Sequence, residues 1–286
     1  MATITVGMPV YNGEQYLESA ISAVLEQTFD DFELLIADNA SSDQSGDICR
    51  DLAAGDSRIR YLRNQKNIGA AANYNLLYDQ ARTPYFRWSN ADDLLDPTLH
   101  QKCYDALVAH PEAALAAGTT ILIDGDGNET GAYDDNLHIV DPRPSRRLCS
   151  FLRRVGMTNV IYGLMRTDAL KHTDLMGNGT VPAADTIFMG QLVLQGAFIK
   201  LDEPLFYRRM HELSSSADRA DTSKQQSFWS AGEKKFKRAG WKSLAAYRRA
   251  IARTPLDAGE SLALYQLLLQ EMWANKRQLS AELIHS

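Results

Sequence analysis

Two adjacent carboxylates, Asp92 and Asp93, directly follow an apolar run that predicts a buried strand over 85–88. Neighbouring carboxylates repel each other unless a proton or a cation offsets their charge. The simplest such cation is a hard divalent metal with oxygen ligands, which in proteins usually accompanies a phosphate-bearing substrate. Pro97 stands where a following helix would begin, so the alternative is an Asp that caps this helix beside a solvated neighbour.

Polar clusters follow three of the predicted strands, at residues 9–13, 38–43 and 90–93. The carboxyl ends of parallel strands meet at one edge of a sheet, so these clusters are expected to converge on one ligand. Taken alone, the run 38–43 is more often a helix-capping loop. The convergence of all three clusters, rather than any one of them, predicts a ligand site.

Asp185 is a candidate base in the second half of the chain. It precedes a predicted apolar helix over 186–195, so the alternative is a carboxylate that caps this helix. A positioned carboxylate in a cleft can remove a proton from an attacking hydroxyl group.

Short apolar runs alternate with helical patterns through the first third of the sequence, as they do in βαβ units. Strands are predicted at 4–8, 33–37, 60–63, 85–88 and 113–119, and helices at 14–27, 42–53, 70–81 and 97–110. This alternation predicts a doubly wound α/β fold with a mostly parallel central sheet.

The pattern is less regular after a predicted hairpin turn near 125–128. The remaining predictions are a basic helix at 145–155, strands at 159–165, 198–201 and 205–207, and a helical tail from 224. The tail contains an apolar stripe formed by Leu262, Tyr265, Leu268, Leu269, Met272 and Trp273. We divide the chain into a first part (1–126), a second part (127–222) and a basic helical extension (223–286).

The composition is that of an ordinary soluble globular protein of 286 residues, with 45% hydrophobic and 23% charged residues. The net charge of −6 argues against general nucleic-acid binding. Three widely spaced cysteines match neither a disulfide framework nor a zinc pattern, which favours a reducing cytoplasm. No apolar run approaches the length of a membrane span.

The charge is unevenly distributed along the chain. Residues 223–253 contain nine basic side chains and one acidic one, while the rest of the chain is strongly acidic. Together with Phe228, Trp229, Phe236 and Trp241, this segment could lie on the anionic inner face of a membrane. The alternative is a solvated helical face whose aromatic rings pack on the domain or on a second subunit of a homodimer.

The sequence resembles the family 2 glycosyltransferases of the GT-A fold over roughly residues 3–215. Five elements carry the resemblance in the family's order: Pro9-Val10-Tyr11-Asn12, Gln27-Thr28-Phe29, Asp38-Asn39-Ala40-Ser41-Ser42-Asp43, Asn67-Ile68-Gly69, and Asn90-Ala91-Asp92-Asp93 ahead of Pro97. The fold implied is Rossmann-like and doubly wound, with residues 1–126 as the nucleotide-sugar-binding part and residues 127–222 as the acceptor-binding and catalytic part. The activity implied is inverting transfer of a sugar from a nucleoside-diphosphate donor to a hydroxyl acceptor, as in the assembly of surface polysaccharides or other glycoconjugates.

The resemblance also implies a nucleotide site and a metal. The implied nucleotide-binding residues are Pro9, Tyr11, Asn12, Asp38, Asn39, Asn67, Asn90, Ala91 and Asp92. Asn39 replaces a second Asp of many relatives, so both UDP-sugars and dTDP-sugars remain open. Asp92 matches a ligand of Mn²⁺ or Mg²⁺, and Asn90 stands in place of the family's other metal-motif Asp.

Catalytic and phosphate-binding roles follow from the second half of the resemblance. Asp185 matches the family's catalytic carboxylate, although Ala184 replaces the acidic residue before it. His211 matches a metal ligand or diphosphate contact, with a histidine in a mobile loop as the alternative. Arg208 or Arg209 is expected to pair with phosphate oxygens.

The remaining expectations concern the number of sugars added and the alternatives to a sugar transferase. The Gln-x-x-Arg-Trp element and the membrane helices of processive polysaccharide synthases are absent, which favours the addition of a single sugar to a glycan or lipid-linked acceptor. Because Asn90 and Ala184 replace acidic residues of the family, the alternative is a relative that binds a nucleotide sugar or glycan without catalysing its transfer. A nucleotide-dependent oxidoreductase is disfavoured because no G-x-G-x-x-G follows the first strand.

Overall fold

The computed structural model describes residues 2–211, 222–232 and 236–284. Strands and helices alternate through the first part as predicted. They are β1 (Ile4–Val10), α1 (Leu17–Leu25), β2 (Phe32–Asp38), α2 (Ser45–Gly55), β3 (Ile59–Arg63), α3 (Ala70–Gln80), β4 (Tyr85–Trp88), β5 (Leu94–Leu95), α4 (Leu99–Ala109) and β6 (Ala113–Ile123). The predicted ends of these elements differ by up to four residues from the observed ones.

The second part mixes shorter elements with a helical carboxyl-terminal region. It contains β7 (Glu129–Tyr133), α5 (Pro144–Arg154), a 3₁₀ turn (Asn159–Tyr162), β8 (Leu164–Arg166), α6 (Thr167–Leu170), α7 (Ala184–Gln195), β9 (Ala197–Arg209), α8 (Thr222–Ser230), α9 (Ala239–Arg253), α10 (Ala258–Ala274) and α11 (Lys276–Ile284). None of the helices in the described ranges combines the length and the apolar character that a membrane crossing requires.

A single mixed sheet with the strand order β3-β2-β1-β4-β8-β6-β9-β5 forms the centre of the described structure, and β7 pairs with β6. Strands β3, β2, β1 and β4 are parallel to their neighbours, as are β6 and β9. Antiparallel pairing occurs where β8 joins the two parallel groups and where β5 and β7 pair with their neighbours. The prediction of a mostly parallel α/β fold is confirmed.

The sheet is covered on both sides, which explains the continuous apolar runs of its strands. Alternate side chains of β2 enter different cores, with Leu34 and Ile36 in one and Leu35 in the other. Helix α1 buries Leu17, Ala20, Ile21 and Val24 against the first of these cores, at the spacing of one helical face.

Two strand predictions need correction. Residues 159–165 do not form one strand, because the Asp135 carboxylate accepts the backbone N–H groups of Thr158 and Val160 and thereby holds a 3₁₀ turn there. The predicted strands 198–201 and 205–207 are one strand, β9. Its register against β6 shifts next to Pro204, which has no N–H group for the ladder.

Three of the four aromatic side chains of the basic tail pack on the protein. Trp229 is buried, Phe236 packs against the core, and Trp241 donates its ring N–H to the carbonyl oxygen of Leu279. Arg249 and Arg253 both pair with Asp174, so part of the positive charge is neutralised. Two lysines of the basic run, Lys234 and Lys235, and the three serines shortly after His211, Ser214, Ser215 and Ser216, lie outside the described residues.

Candidate active site

The loops after β1 and β2 are joined by hydrogen bonds, as expected for neighbouring carboxyl ends of parallel strands. The Asn12 backbone N–H donates to the Ser41 hydroxyl at 3.0 Å, and the Asn12 side-chain oxygen accepts the Ser42 N–H at 2.8 Å. Asn12 adopts a positive φ of 50°, which an asparagine tolerates better than most residues do. Tyr11 beside it is 53% exposed and presents its ring at this edge of the sheet.

Asp38 is completely buried and supports the loop that follows it. One carboxylate oxygen accepts the Tyr61 hydroxyl at 2.8 Å and the Arg63 guanidinium at 2.6 Å. The other oxygen accepts the Ser41 N–H at 2.8 Å. With these bonds made inside the protein, Asp38 shapes the candidate nucleotide site through the loop that it holds.

Asn39 and Asn67, which are distant in sequence, are bonded to each other. The Asn39 amide donates to Asn67 at 2.9 Å, and its oxygen accepts the Asn64 amide and the Ile68 N–H. The predicted nucleotide-binding residues after β2 and before α3 therefore form one rigid loop pair. Pro9 and Ala91, two further predicted members, are half-buried at the same edge.

Asn90 and Asp93 form an inward-facing network behind the candidate metal position. Asn90 accepts the Tyr74 hydroxyl and donates to Asp93, both at 2.8 Å. The second Asp93 oxygen accepts the Arg209 backbone N–H at 2.8 Å. Burial, reinforced by the neighbouring charge of Asp92, raises the pKa of Asp93 to about 7. Asp93 is thus a buried supporting residue, while Asp92 faces outward.

Asp92 and His211 are brought together from the segments that follow β4 and β9. An Asp92 carboxylate oxygen lies 3.0 Å from His211 Nε2, and the His211 ring is packed 4.9 Å from the ring of Tyr16. A carboxylate beside an imidazole is a suitable donor pair for Mn²⁺, and Mg²⁺ also accepts few protein ligands when substrate phosphates supply the rest. The described residues contain no cluster of three His, Cys, Asp or Glu side chains, so they offer a partial ligand set of this kind.

Arg208 and Arg209 face opposite sides of β9, as successive strand residues do. Arg209 is buried, donates to the backbone oxygens of Asp92, Asp124 and Gly125, and lies 4.5 Å from the Tyr16 ring centre. Arg208 is bonded to the Asn159 side chain and lines a cavity. Of the two arginines, Arg208 is therefore the one placed to meet a ligand.

Asp185 lines the same cavity as Arg208. This cavity has a volume of about 270 Å³ and is also bounded by Tyr74, Tyr162, Phe228 and Trp229. Helix α7 begins at Ala184 after the capping residue Ala183, so Asp185 lies in the first turn of the helix and is not its cap. Tyr74 connects this cavity to Asn90, through the hydroxyl that it donates there.

The aromatic wall of the cavity was not predicted. Phe228 and Trp229 belong to α8, which rests on the backbone of two glycines with positive φ, Gly69 at 82° and Gly179 at 72°. A Cβ atom at these glycines would lie 2.7 Å and 2.6 Å from the Trp229 carbonyl oxygen. A sequence signal was available, since Gln225 and Trp229 keep the outer residues of Gln-x-x-Arg-Trp while Phe228 replaces the arginine.

Comparison with known proteins gives a consistent result. Residues 5–172, more than half of the chain, match the profile described as Glycosyl transferase family 2. The glycosyltransferase GlyG of Streptococcus pneumoniae is 30% identical over 126 residues, which are 44% of this chain and 42% of GlyG. The chain therefore matches less than half of the length of that relative.

Two solved structures share the fold. Residues 1–349 of S. aureus TarS in complex with UDP give a TM-score of 0.66 at 15% identity and cover 97% of this chain and 73% of that one. The TarS fragment is also known in complex with UDP-GlcNAc. The mannosyltransferase PcManGT from Pyrobaculum calidifontis, in complex with GDP-Man and Mn²⁺, gives a TM-score of 0.55 at 14% identity and covers 99% of this chain and 85% of that one.

Proposed function

The chain belongs to glycosyl transferase family 2 and has the GT-A fold, and from this premise we propose that it transfers one sugar from a nucleoside-diphosphate donor to a hydroxyl acceptor, with inversion at the anomeric carbon. The observation that carries the proposal is the cavity lined by both Asp185 and Arg208. Tyr74 links this cavity to the loop after β4, because its hydroxyl donates to Asn90, two residues before Asp92. This link supports a single site that combines the proposed base Asp185, the proposed phosphate-binding Arg208 and the proposed metal ligand Asp92.

Each residue has a separate role in the proposed reaction. Asp185 accepts the proton of the acceptor hydroxyl while that oxygen forms a bond to the anomeric carbon and the bond from this carbon to the diphosphate oxygen breaks. Arg208 pairs with the diphosphate and stabilises the charge that develops on it. Asp92 and His211 would hold Mn²⁺ or Mg²⁺, which neutralises negative charge on the leaving diphosphate.

A pyrimidine nucleotide is the proposed donor class. TarS, which shares the fold, is known with UDP and with UDP-GlcNAc. In this chain the loop pair of Asn39 and Asn67 is fixed by its internal hydrogen bonds, and Tyr11 is exposed beside it. We therefore expect the base to contact backbone groups of these loops and the ring of Tyr11, with either uridine or thymidine accepted.

The acceptor is proposed to be a glycan or a lipid-linked sugar. Phe228 and Trp229 give the catalytic cavity an aromatic wall opposite polar groups, and aromatic faces bind the apolar C–H face of a sugar ring. A pyranose that stacks there would present a hydroxyl group to Asp185.

Release of UDP from UDP-GlcNAc in the presence of Mn²⁺, with thermal denaturation as a second readout, tests the proposal. Asp185→Asn is expected to slow UDP release by about 10²- to 10⁴-fold, the usual contribution of a general base, and to keep the stabilisation by UDP and Mn²⁺. Asp92→Ala is expected to lose the Mn²⁺-dependent part of that stabilisation.

Asp168→Asn serves as the matched control, because Asp168 forms an exposed ion pair with Lys171. Its UDP release should equal that of the unmodified chain. Unchanged release in Asp185→Asn would remove Asp185 from the mechanism. Stabilisation by UDP-GlcNAc and Mn²⁺ without any turnover, with this donor or with dTDP-sugars, would instead identify a non-catalytic sugar-binding relative.

A further inference from the structure

Helix α5 contains one buried arginine and three exposed ones. Arg147 is buried and donates to four backbone oxygens, those of Asp141, Pro142, Val193 and Leu194. Arg146, Arg153 and Arg154 are exposed, and the helical period places Arg146 and Arg153 on one face with Arg154 at the edge of it. The buried arginine therefore serves the fold, and the exposed ones require a different explanation.

The exposed arginines of α5 form no ion pair with any described residue. The helix itself contains no acidic side chain. The acidic residues beside the start of the helix are Asp141 and Glu260. Asp141 accepts the Arg143 N–H and lies 3.7 Å from the Arg143 guanidinium, and Glu260 accepts the Ser145 N–H at 2.9 Å. Among the described residues, neither carboxylate forms an ion pair with Arg146, Arg153 or Arg154.

A second cavity adjoins this face. It has a volume of about 510 Å³ and lies between α5 and residues 138–141. Its polar lining consists of Arg146, Arg153, Arg154, His138 and Ser150 together with one carboxylate, that of Asp141. Guanidinium groups bind phosphate oxygens in pairs of parallel hydrogen bonds, and the Ser150 hydroxyl can donate another. The chemistry of this cavity suits a phosphate group better than a neutral sugar.

The end of α5 leads directly to the catalytic cavity. Met157 and Thr158, which line that cavity, follow Arg154 by three and four residues, so the α-carbons of Arg154 and Met157 are at most about 11 Å apart. Their backbone is held in place, because the Met157 N–H donates to the Tyr133 hydroxyl and the Thr158 N–H to Asp135. A molecule bound along α5 would therefore extend toward Asp185.

We propose that the arginine face of α5 is a phosphate-binding site that holds a phosphate-bearing acceptor beside the catalytic cavity. The role of the bound molecule as an acceptor rests on the proposed glycosyl transfer, whereas the binding of phosphate to α5 does not depend on it. The phosphate belongs either to a soluble acceptor or to a lipid headgroup, and the two sources are distinguished by the probes below.

The test uses the double variant Arg153→Gln/Arg154→Gln and the matched control Arg248→Gln/Arg277→Gln, which removes two exposed helical arginines elsewhere. Sodium tripolyphosphate is titrated by calorimetry in metal-free buffer. Vesicles of phosphatidylglycerol and of phosphatidylcholine are sedimented with each protein. The α5 variant should bind the anionic probe at least tenfold more weakly than the unmodified chain, and the control should be unchanged.

Binding of tripolyphosphate alone would support a soluble phosphate-bearing acceptor, and binding of phosphatidylglycerol vesicles alone would support a lipid headgroup. Equal losses in the α5 variant and the control would overturn the proposal, because charge anywhere on the surface would then suffice. No binding of either probe would also overturn it. Asp92→Ala should keep tripolyphosphate binding, which separates a failure of this site from a failure of the proposed transferase activity.

Discussion

Arg87 and His100 form a buried polar pair between β4 and α4. The Arg87 guanidinium donates twice to the Tyr162 carbonyl oxygen and lies 3.3 Å from His100 Nε2, and burial lowers the pKa of Arg87 to about 10. Burial and the Arg87 charge hold the pKa of His100 well below its usual value of 6.5. His100 is therefore neutral in the fold, with Nε2 accepting from the guanidinium.

This pair makes stability depend on pH. Above pH 6.5 both folded and unfolded His100 are neutral, so the free energy of unfolding has no contribution from this proton. As the pH falls below 6.5 the unfolded chain binds a proton that the folded chain excludes, and stability decreases by up to about 1.4 kcal/mol per pH unit. Chemical denaturation at pH 7.5 and pH 5.5 measures this loss, and His100→Gln should reduce it.

His110→Gln is the control for that measurement, because His110 is exposed and pairs with Glu112 at the surface. It should leave the difference between the two pH values close to that of the unmodified chain. An unchanged difference in His100→Gln would show that other groups cause the acid sensitivity.

At the residue scale, the sequence predicts the chemistry of a side chain better than its direction. The meeting of Asp92 with His211 and the cavity position of Asp185 follow from residue types at strand and helix ends. The choice between Arg208 and Arg209 depends on which side of the sheet each side chain faces. The register of β9 against β6 determines that side. No local pattern contains that information.

Helix α8 is held against the catalytic cavity by two close backbone contacts. Gly69→Ala introduces a Cβ atom 2.7 Å from the Trp229 carbonyl oxygen at a φ of 82°, which alanine rarely adopts. We expect α8 to shift, the melting temperature to fall, and UDP release from UDP-GlcNAc to slow. The melting temperature and the release of UDP are measured as for Asp185→Asn.

Gly55→Ala is a suitable comparison, since nothing lies within 4 Å of the added methyl group there. Its melting temperature and UDP release should match those of the unmodified chain. Normal UDP release in Gly69→Ala would show that the aromatic wall does not contribute to the site.

Helices and strands whose apolar residues recur at a regular spacing were predictable from the sequence. Elements that are stabilised by residues distant in sequence were not. Strand β4 and helix α7 follow from local patterns. The 3₁₀ turn at Asn159–Tyr162 has a strand-like sequence and is stabilised by Asp135 from another part of the chain. The position of α8 depends on Gly69 and Gly179, which lie far from it in sequence.

For the whole molecule, the outer face of α10 is its most apolar exposed surface among the described helices. Leu262, Tyr265, Leu269 and Trp273 are 60%, 40%, 61% and 72% exposed, whereas Leu268, from the same predicted stripe, is buried. The helical period places these four side chains on one face. An antiparallel second copy would place Leu262 opposite Trp273 and Tyr265 opposite Leu269 of the other chain.

We expect a homodimer through this face. Light scattering after size exclusion should give twice the chain mass of 31.9 kDa at micromolar concentration. Leu269→Lys should reduce this to the mass of one chain, because each copy would then bury an unpaired charge in the apolar contact. Val108→Lys, at an exposed apolar position of α4, should leave the dimer intact. A single-chain mass for the unmodified protein would exclude this interface.

The contact between α8 and Gly69 has a kinetic consequence. The loop that supports Trp229 begins at Asn67 and Ile68, which are bonded to Asn39 in the candidate nucleotide site. A nucleotide bound against this loop would therefore be coupled to a ligand bound against the wall of the neighbouring cavity, and such coupling acts equally in both directions. Donor and acceptor would then bind synergistically, so the KM of each substrate would fall as the concentration of the other rises.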